Sequence, residues 1–372
     1  MATSLYTQGL ADDLPEIPNP DAFGSKQEYL KASRVFNLEL RTLVEKYLGF
    51  QQVVQLVRQR IQEHLAPGGN IDVTIVTVGS DGRLEKCLPS LYEVVALIQR
   101  NSNGIQQELQ DEIRQELIDI VAPEAVTRTL QADTCDPLMK TGVFSHVEVK
   151  PLSSPDFLYF NNDPSLKAWP SRIIDALPLG SDDAQLVQAA KQKLIAKVQG
   201  PSGNKLIPLE NGRHKDARNI IGREGVDRFQ GNDIRHYDLD RREIYYAPDR
   251  HLAAMKHGPL RAVQTLCYWK LLQAIREPGN WEDLLKATPT PTVEKIPYLE
   301  DAGVLKFDTH LQAEDLIKLY EYTLWWQHRA GYAHHVHGCE TLTIRPDEAV
   351  ELKENLEALD ARIREVSRKA GS

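Results

Sequence analysis

The sequence predicts an α+β fold, a mixed-sheet core between an amino-terminal helical region and a carboxyl-terminal helical domain. Three observations predict it. The β-branched run Ile71-Asp-Val-Thr-Ile-Val-Thr-Val78 ends abruptly at Gly79-Ser80. A second apolar run, 92–99, follows it with one carboxylate, Glu93, inside. From Gly258 onward, apolar residues recur at helical spacing to the end of the chain.

Residues 1–24 carry Pro15, Pro18, Pro20 and Gly24 without periodicity and read as a loose arm. Residues 25–68 read as amino-terminal helices. Ser25-Lys-Gln-Glu28 fits a capping box, with Leu40, Leu43, Val44, Tyr47 and Leu48 at helical spacing behind it. A second helix carries Val53, Val54, Val57, Ile61 and Leu65, and Pro67-Gly-Gly stops it. The core, 69–250, has strands over 71–78, 92–99, 126–132 and 143–150, with a polar helix over 104–121. A helix over 182–198 precedes an arginine- and glycine-rich insertion, 213–231, and a hairpin or a pair of short strands over 234–246. The carboxyl-terminal domain, 251–372, has helices over 258–277, 280–287, 311–330 and 346–369, with proline-rich 288–297 as a connection.

Composition narrows the function classes. A net charge of −9 argues against duplex nucleic acid or an anionic membrane as the main partner. No run approaches the roughly 18 apolar residues of a membrane span, and no basic-then-apolar leader opens the chain. Cys87, Cys135, Cys267 and Cys339 are scattered, which suits reduced thiols and a cytoplasmic setting.

The glycine-serine turn carries the chemistry. Such a turn leaves backbone N–H groups and a hydroxyl free for phosphate oxygens. Acids on the next strand can hold a divalent metal. Strand alternation puts positions 91 and 93 on one face, and two acids there would reach one metal cluster. Here the pair is Leu91 and Glu93. Leucine cannot ligate Mg²⁺ or Mn²⁺.

Gly79-Ser-Asp-Gly-Arg-Leu-Glu85 with Ser90-x-x-Glu93 resembles the GSxGRxE…SDxD signature of the polymerase-β-like nucleotidyltransferase superfamily. The nearest branches are the PII-protein uridylyltransferases, the glutamine-synthetase adenylyltransferases and nucleotidyltransferases fused to regulatory modules. His257-Gly-Pro-Leu-Arg261, and Leu316 to Tyr332 with its Trp325-Trp-Gln-His-Arg-Ala-Gly331, resemble the helical domain that follows that core. The resemblance implies that Gly79 and Ser80 hold nucleotide phosphates, with Arg83 and Glu85 beside them. It implies that Glu93 is the second metal-binding acid and that Leu91 replaces the first. Glu148, the sole acid of the 143–150 run, is the candidate third acid and shares a strand face with His146.

Other clusters have weaker patterns. His328, His334, His335, His337 and Cys339 bring zinc-type donors together, but a polar inter-helix loop around Gly331 accounts for them as well. The arginines of 213–250 suit either a phosphate clamp or a solvated loop, and Asp238 and Asp240, two apart on one strand face, suit either a metal dyad or a hairpin with local ion pairs to Arg241 and Arg242. Ser80 lacks the GxSxG elbow of a hydrolase nucleophile.

The resemblance therefore implies a nucleotidyltransferase that moves NMP from an NTP to a protein or small-molecule acceptor, using Mg²⁺ or Mn²⁺ at Glu93 and Glu148. The alternatives are a catalytically degenerate regulator that binds nucleotide or a partner protein, and an interaction protein assembled through helices 25–65 and 346–369.

Overall fold

Ser25 opens the first long helix by accepting a hydrogen bond from the Glu28 amide (3.2 Å), the capping contact its spacing predicts. That helix, α1 (Lys26–Tyr47), buries Tyr29, Phe36 and Leu40 and leaves Val35 and Leu38 exposed. The computed structural model describes residues 16–47, 55, 59, 71–85, 92–100, 144–152, 158, 170–179, 184–221, 234–238, 243–246, 255–335 and 342–368. The predicted helix over 53–65 apart from positions 55 and 59, the helix over 104–121, the strand over 126–132, Leu91 and residues 336–341 lie outside them.

The chain is α+β, and its larger sheet is mixed. β1 (Ile71–Thr77) leads into a one-turn helix, α2 (Gly79–Gly82); β2 (Tyr92–Arg100) and β3 (Phe144–Pro151) follow. After α3 (Pro170–Ile174) comes β4 (Leu177–Pro178), giving the order β3-β2-β1-β4. β2 and β4 flank β1 antiparallel, whereas β3 runs parallel to β2. Both faces of the centre are covered: Val76, Val95 and Leu97 lie on one, Ile75, Ala96 and Ile98 on the other, all buried. The sequence reading missed β4. Two residues show no alternation, and Pro178 argues against a strand; an edge tolerates it.

α4 (Ala184–Gln199) matches its predicted helix, and α5 (Gly203–Asn219) corrects the first part of the insertion assigned to 213–231, of which 222–231 lie outside the described residues. Arg213, Lys215 and Arg218 sit on this helix rather than in a loop. Its buried stripe is Leu206, Glu210, His214 and Ala217, so polar members hid the helical period. β5 (Ile234–Asp238) and β6 (Glu243–Tyr246) form the predicted hairpin.

A π-helical turn, Lys256–Leu260, runs into α6 (Arg261–Arg276), which is buried on nearly every side. A helix buried all round belongs at the centre of its domain, and α6 touches α4, α5, α8 (Thr292–Asp301) and α10 (Pro346–Arg368). α7 (Trp281–Ala287) is as predicted. α8 corrects the connection assigned to 288–297: Pro291 stands at its N-cap, and buried Ile296 and Leu299 hold it despite Pro297. α9 (His310–His335) continues through Gly331, where the sequence reading expected a loop. β7 (Leu342–Ile344) adds to β6, so the second sheet draws strands from both sides of the predicted boundary at 250. α10 closes the bundle with Leu352, Leu356, Leu359, Ile363 and Val366 buried. No helix among the described residues is long and apolar enough to cross a membrane.

One close approach locks the sheet to its turn. A Cβ on Gly82 would stand 2.2 Å from the Asp175 carbonyl oxygen and 3.1 Å from that of Thr77, both backbone atoms. Gly82→Ala is therefore expected to cost about 1–3 kcal/mol by overpacking. Chemical denaturation measures it, and an unchanged midpoint would show that the two segments part easily.

Candidate functional site

Val78, buried, ends β1's apolar run, and Gly79 reverses the chain at φ 64°, a conformation glycine adopts without strain. The turn of α2 closes with Gly82 N–H to Val78 O (3.3 Å), Arg83 N–H to Gly79 O (3.2 Å) and Glu85 N–H to Ser80 O (3.0 Å). The amides of Gly79, Ser80 and Asp81 precede the first of these bonds, so the helix itself offers them no acceptor. Gly79 and Ser80 are half-buried at the mouth of the sheet.

Register places the two acids on adjoining strands. Thr77 pairs with Val94, so Glu93 lies one residue beyond, level with the start of the turn. Across the β2–β3 ladder Glu93 is opposite His146, and Val95 is opposite Glu148. Glu93 and Glu148 therefore stand on adjacent parallel strands, two register places apart. Among the described residues, whose side chains do not include these, no group of three donors could hold a metal.

Arg83 and Glu85 turn inward, away from that mouth. Leu84 between them adopts φ 56°, a left-handed conformation that costs a non-glycine residue about 1–2 kcal/mol. Arg83 Nε donates to Glu85 (2.9 Å), and Arg83 Nη1 donates to Asp175 (3.0 Å) and to the Tyr268 hydroxyl (3.3 Å). Tyr268 and Lys295 donate to Asp175 as well. Glu85 accepts from the Thr292 amide (2.6 Å), the Thr292 hydroxyl (3.2 Å) and Tyr320 (2.7 Å), whose hydroxyl accepts in turn from Gln264 (2.9 Å). Two cations thus meet two carboxylates inside the protein, with Asp175 and Lys295 at 1% side-chain exposure.

The electrostatics follow from that enclosure. Burial pulls the Arg83 guanidinium down, but Tyr268, Asp175 and Glu85 together hold it above its ordinary value. Burial, then Asp175, raises the Tyr268 phenol; burial, then Glu85, raises that of Tyr320. Lys191 donates to the Leu285 carbonyl (3.0 Å), and burial lowers its ammonium to about 8 against the pull of Asp175. Cys267 is buried and its thiol is pushed up to about 12, which leaves it inert as a nucleophile.

Glu93 thus lies level with the Gly79-Ser80 turn on the adjoining strand and Glu148 two register places along on the next strand, while Arg83 and Glu85 tie the turn to α6, α8 and α9. His328 is not part of a loop: it lies inside α9, 3% exposed, with Nδ1 hydrogen-bonded to Tyr29 (3.1 Å) and Ser33 (3.3 Å). His334 and His335 end that same helix, and His337 and Cys339 lie outside the described residues. Sequence reasoning missed Asp175, Tyr268, Lys295 and Tyr320. The usable signal was a lone acid within Ile173-Ile174-Asp175-Ala176-Leu177 and a lone lysine next to Ile296.

No protein-family model matches this chain, and no curated protein is similar to it in sequence.

Proposed function

We propose that the chain is a nucleotidyltransferase-like protein whose triphosphate site lies at the Gly79-Ser80 turn. One observation carries this reading. A glycine-serine turn leaves an inner strand of a mixed sheet, Glu93 lies level with the turn on the adjoining strand, and Glu148 lies two register places along on the strand beyond that. The Gly79, Ser80 and Asp81 amides and the Ser80 hydroxyl would cradle phosphate oxygens. The acceptor oxygen bonds to the α-phosphorus as the α–β phosphoanhydride breaks and pyrophosphate leaves, with the acceptor proton passing to an acid such as Glu148. Two carboxylates on adjacent strands are a donor set that fits Mg²⁺ or Mn²⁺, held at Glu93 and Glu148. A bound cation supplies neutralisation of the charge that develops on the phosphates.

Thermal unfolding with each NTP in EDTA, Mg²⁺ or Mn²⁺ tests it. Nucleotide at about 100 times Kd adds roughly 2.7 kcal/mol. The expected result is a stabilisation that needs metal and disappears in Glu93→Ala. A second reading, a regulator that binds nucleotide without transferring it, is favoured by Leu91 and by the use of Arg83 and Glu85 inside the protein. It gives a shift indifferent to metal and no pyrophosphate. No shift with any NTP rejects both.

A further inference from the structure

Glu85 ends the Gly79-Ser80 turn and belongs at the same time to the helical domain. Its amide donates to the Ser80 carbonyl (3.0 Å), so it is bonded directly to a residue of the phosphate turn. Its carboxylate, 4% exposed, accepts from the Thr292 amide (2.6 Å), the Thr292 hydroxyl (3.2 Å) and the Tyr320 hydroxyl (2.7 Å). We infer that this docking of Glu85 between α8 and α9 regulates the turn: docked, Glu85 sets the turn for nucleotide, and undocked, it releases it. The inference names the regulation of the proposed nucleotide site and rests on that reading for its ligand; the dock itself rests on the contacts just given.

The sequence of α8 explains why Glu85 docks there. Pro291, at its N-cap, has no side-chain oxygen and makes no capping hydrogen bond. The Glu85 carboxylate takes that place, at the end of a helix that favours negative charge. Thr292 and Lys295, three apart, share one face of α8. Thr292 holds Glu85, and Lys295 holds Asp175, to which Arg83 also donates (3.0 Å). Two struts therefore run from the end of the turn to one helix, and a shift of α8 reaches both.

Strain and free volume meet at the same point. Leu84, immediately before Glu85, holds φ 56°, and residues strained in this way gather at switch segments. Beside it lies a cavity of about 20 Å³, bounded by Leu84, Glu85, Ser33, Val293, Leu324 and His328 and roomy enough for about one water. Relaxation of Leu84 to negative φ turns the Glu85 carboxylate relative to Ser80, and the cavity gives side chains room to move in an otherwise close-packed interior. Because the turn and the dock share Glu85, nucleotide binding and docking are linked reciprocally: each strengthens the other by the same factor.

The test compares the full wild-type chain with Tyr320→Phe and Thr292→Val, each of which removes one hydroxyl donor to Glu85. Leu356→Val, at a buried position of α10 outside these contacts, is the control for lost stability alone. Hydrogen exchange without nucleotide, on a peptide spanning 78–85, reads the Gly82, Arg83 and Glu85 amides that close the turn. The Kd values for ATP, GTP, CTP and UTP with Mg²⁺ are measured by calorimetry at a temperature where every form is folded. In both hydroxyl variants the expected results are faster exchange in the turn and a Kd weaker by about fivefold or more, with neither change in Leu356→Val. Nucleotide bound to the wild-type protein is expected to slow exchange over 292–299. The two hydroxyl variants act on the same carboxylate, so one suffices if the other fails to fold. Unchanged exchange in the turn overturns the inference, and so does an equal change in Leu356→Val. An NTP bound as tightly by the hydroxyl variants as by the wild type overturns it and leaves the proposed function standing. Faster exchange in the turn with no NTP bound by any form rejects the proposed function, and the regulation with it.

Discussion

Asp175→Asn is expected to destabilise the protein by about 3–5 kcal/mol, the cost of removing one partner from a buried set of charges. Asp175 accepts from Arg83, Tyr268 and Lys295 at once, and its side chain is 1% exposed. Asparagine keeps the shape but strips the charge that two buried cations face, and Glu85 contacts only one of them, Arg83. Its amide also puts N–H donors where oxygen acceptors stood. Denaturant unfolding measures the loss as a lower midpoint at constant slope. The pairing with Lys295 can be isolated by adding Lys295→Met. With both partners gone no stranded ammonium remains, so the double variant is expected to be more stable than the sum of the two single losses by at least about 1 kcal/mol. A cost below about 1 kcal/mol for Asp175→Asn would mean that water reaches the site and screens it.

The same network marks where the sequence stops being legible. β1 and its turn could be read because a β-branched run ending in glycine and serine is a local pattern, and the capping contact at Ser25 spans three residues. Arg83 and Glu85 read as neighbours of a phosphate turn because nothing local names their partners. Asp175 lies 92 positions from Arg83, and Tyr320 lies 235 from Glu85. α5 was hidden for a related reason: Glu210 and His214 occupy its buried stripe, and their burial depends on other elements, with Ala262 and Ser367 accounting for His214. α8 was hidden by its prolines, which local reasoning counts as breakers although Pro291 only precedes the helix. Of the candidate site, the turn and the two acids were legible as residue types. Their relative placement was not, since the β2–β3 register is a tertiary fact.

Buried histidines set how the fold responds to acid. His214 and His328 are 1% and 3% exposed, and burial lowers both to about 4. For His214 the Ala262 carbonyl opposes that shift, Arg218 and Lys270 reinforce it, and Asp360 opposes it. His328 has the Glu85 backbone as its opposing partner. Their folded values lie below the unfolded value of about 6.5, so the unfolded chain binds more protons in that window. Stability therefore falls as pH drops from about 6.5 to about 4, by about 1.4 kcal/mol per pH unit and about 3 kcal/mol in all for each histidine. Carboxylates titrate mainly below this range in the unfolded chain, and burial raises the folded Glu210 and Glu321 carboxyls, which opposes the decline, so the histidines set the direction between pH 6.5 and 5. His257, exposed beside the π-helical turn, is screened by water and adds little. Denaturant midpoints across that interval are expected to decline, and His214→Gln and His328→Gln are each expected to flatten the decline, whatever they cost at pH 7.5. Midpoints that stay level from pH 6.5 to 5 in the wild-type protein would mean that the rings accept protons without unfolding. His214 would then have to keep its stack on Trp269 (5.5 Å between centroids) as an imidazolium, with Lys270 and Arg218 still beside it.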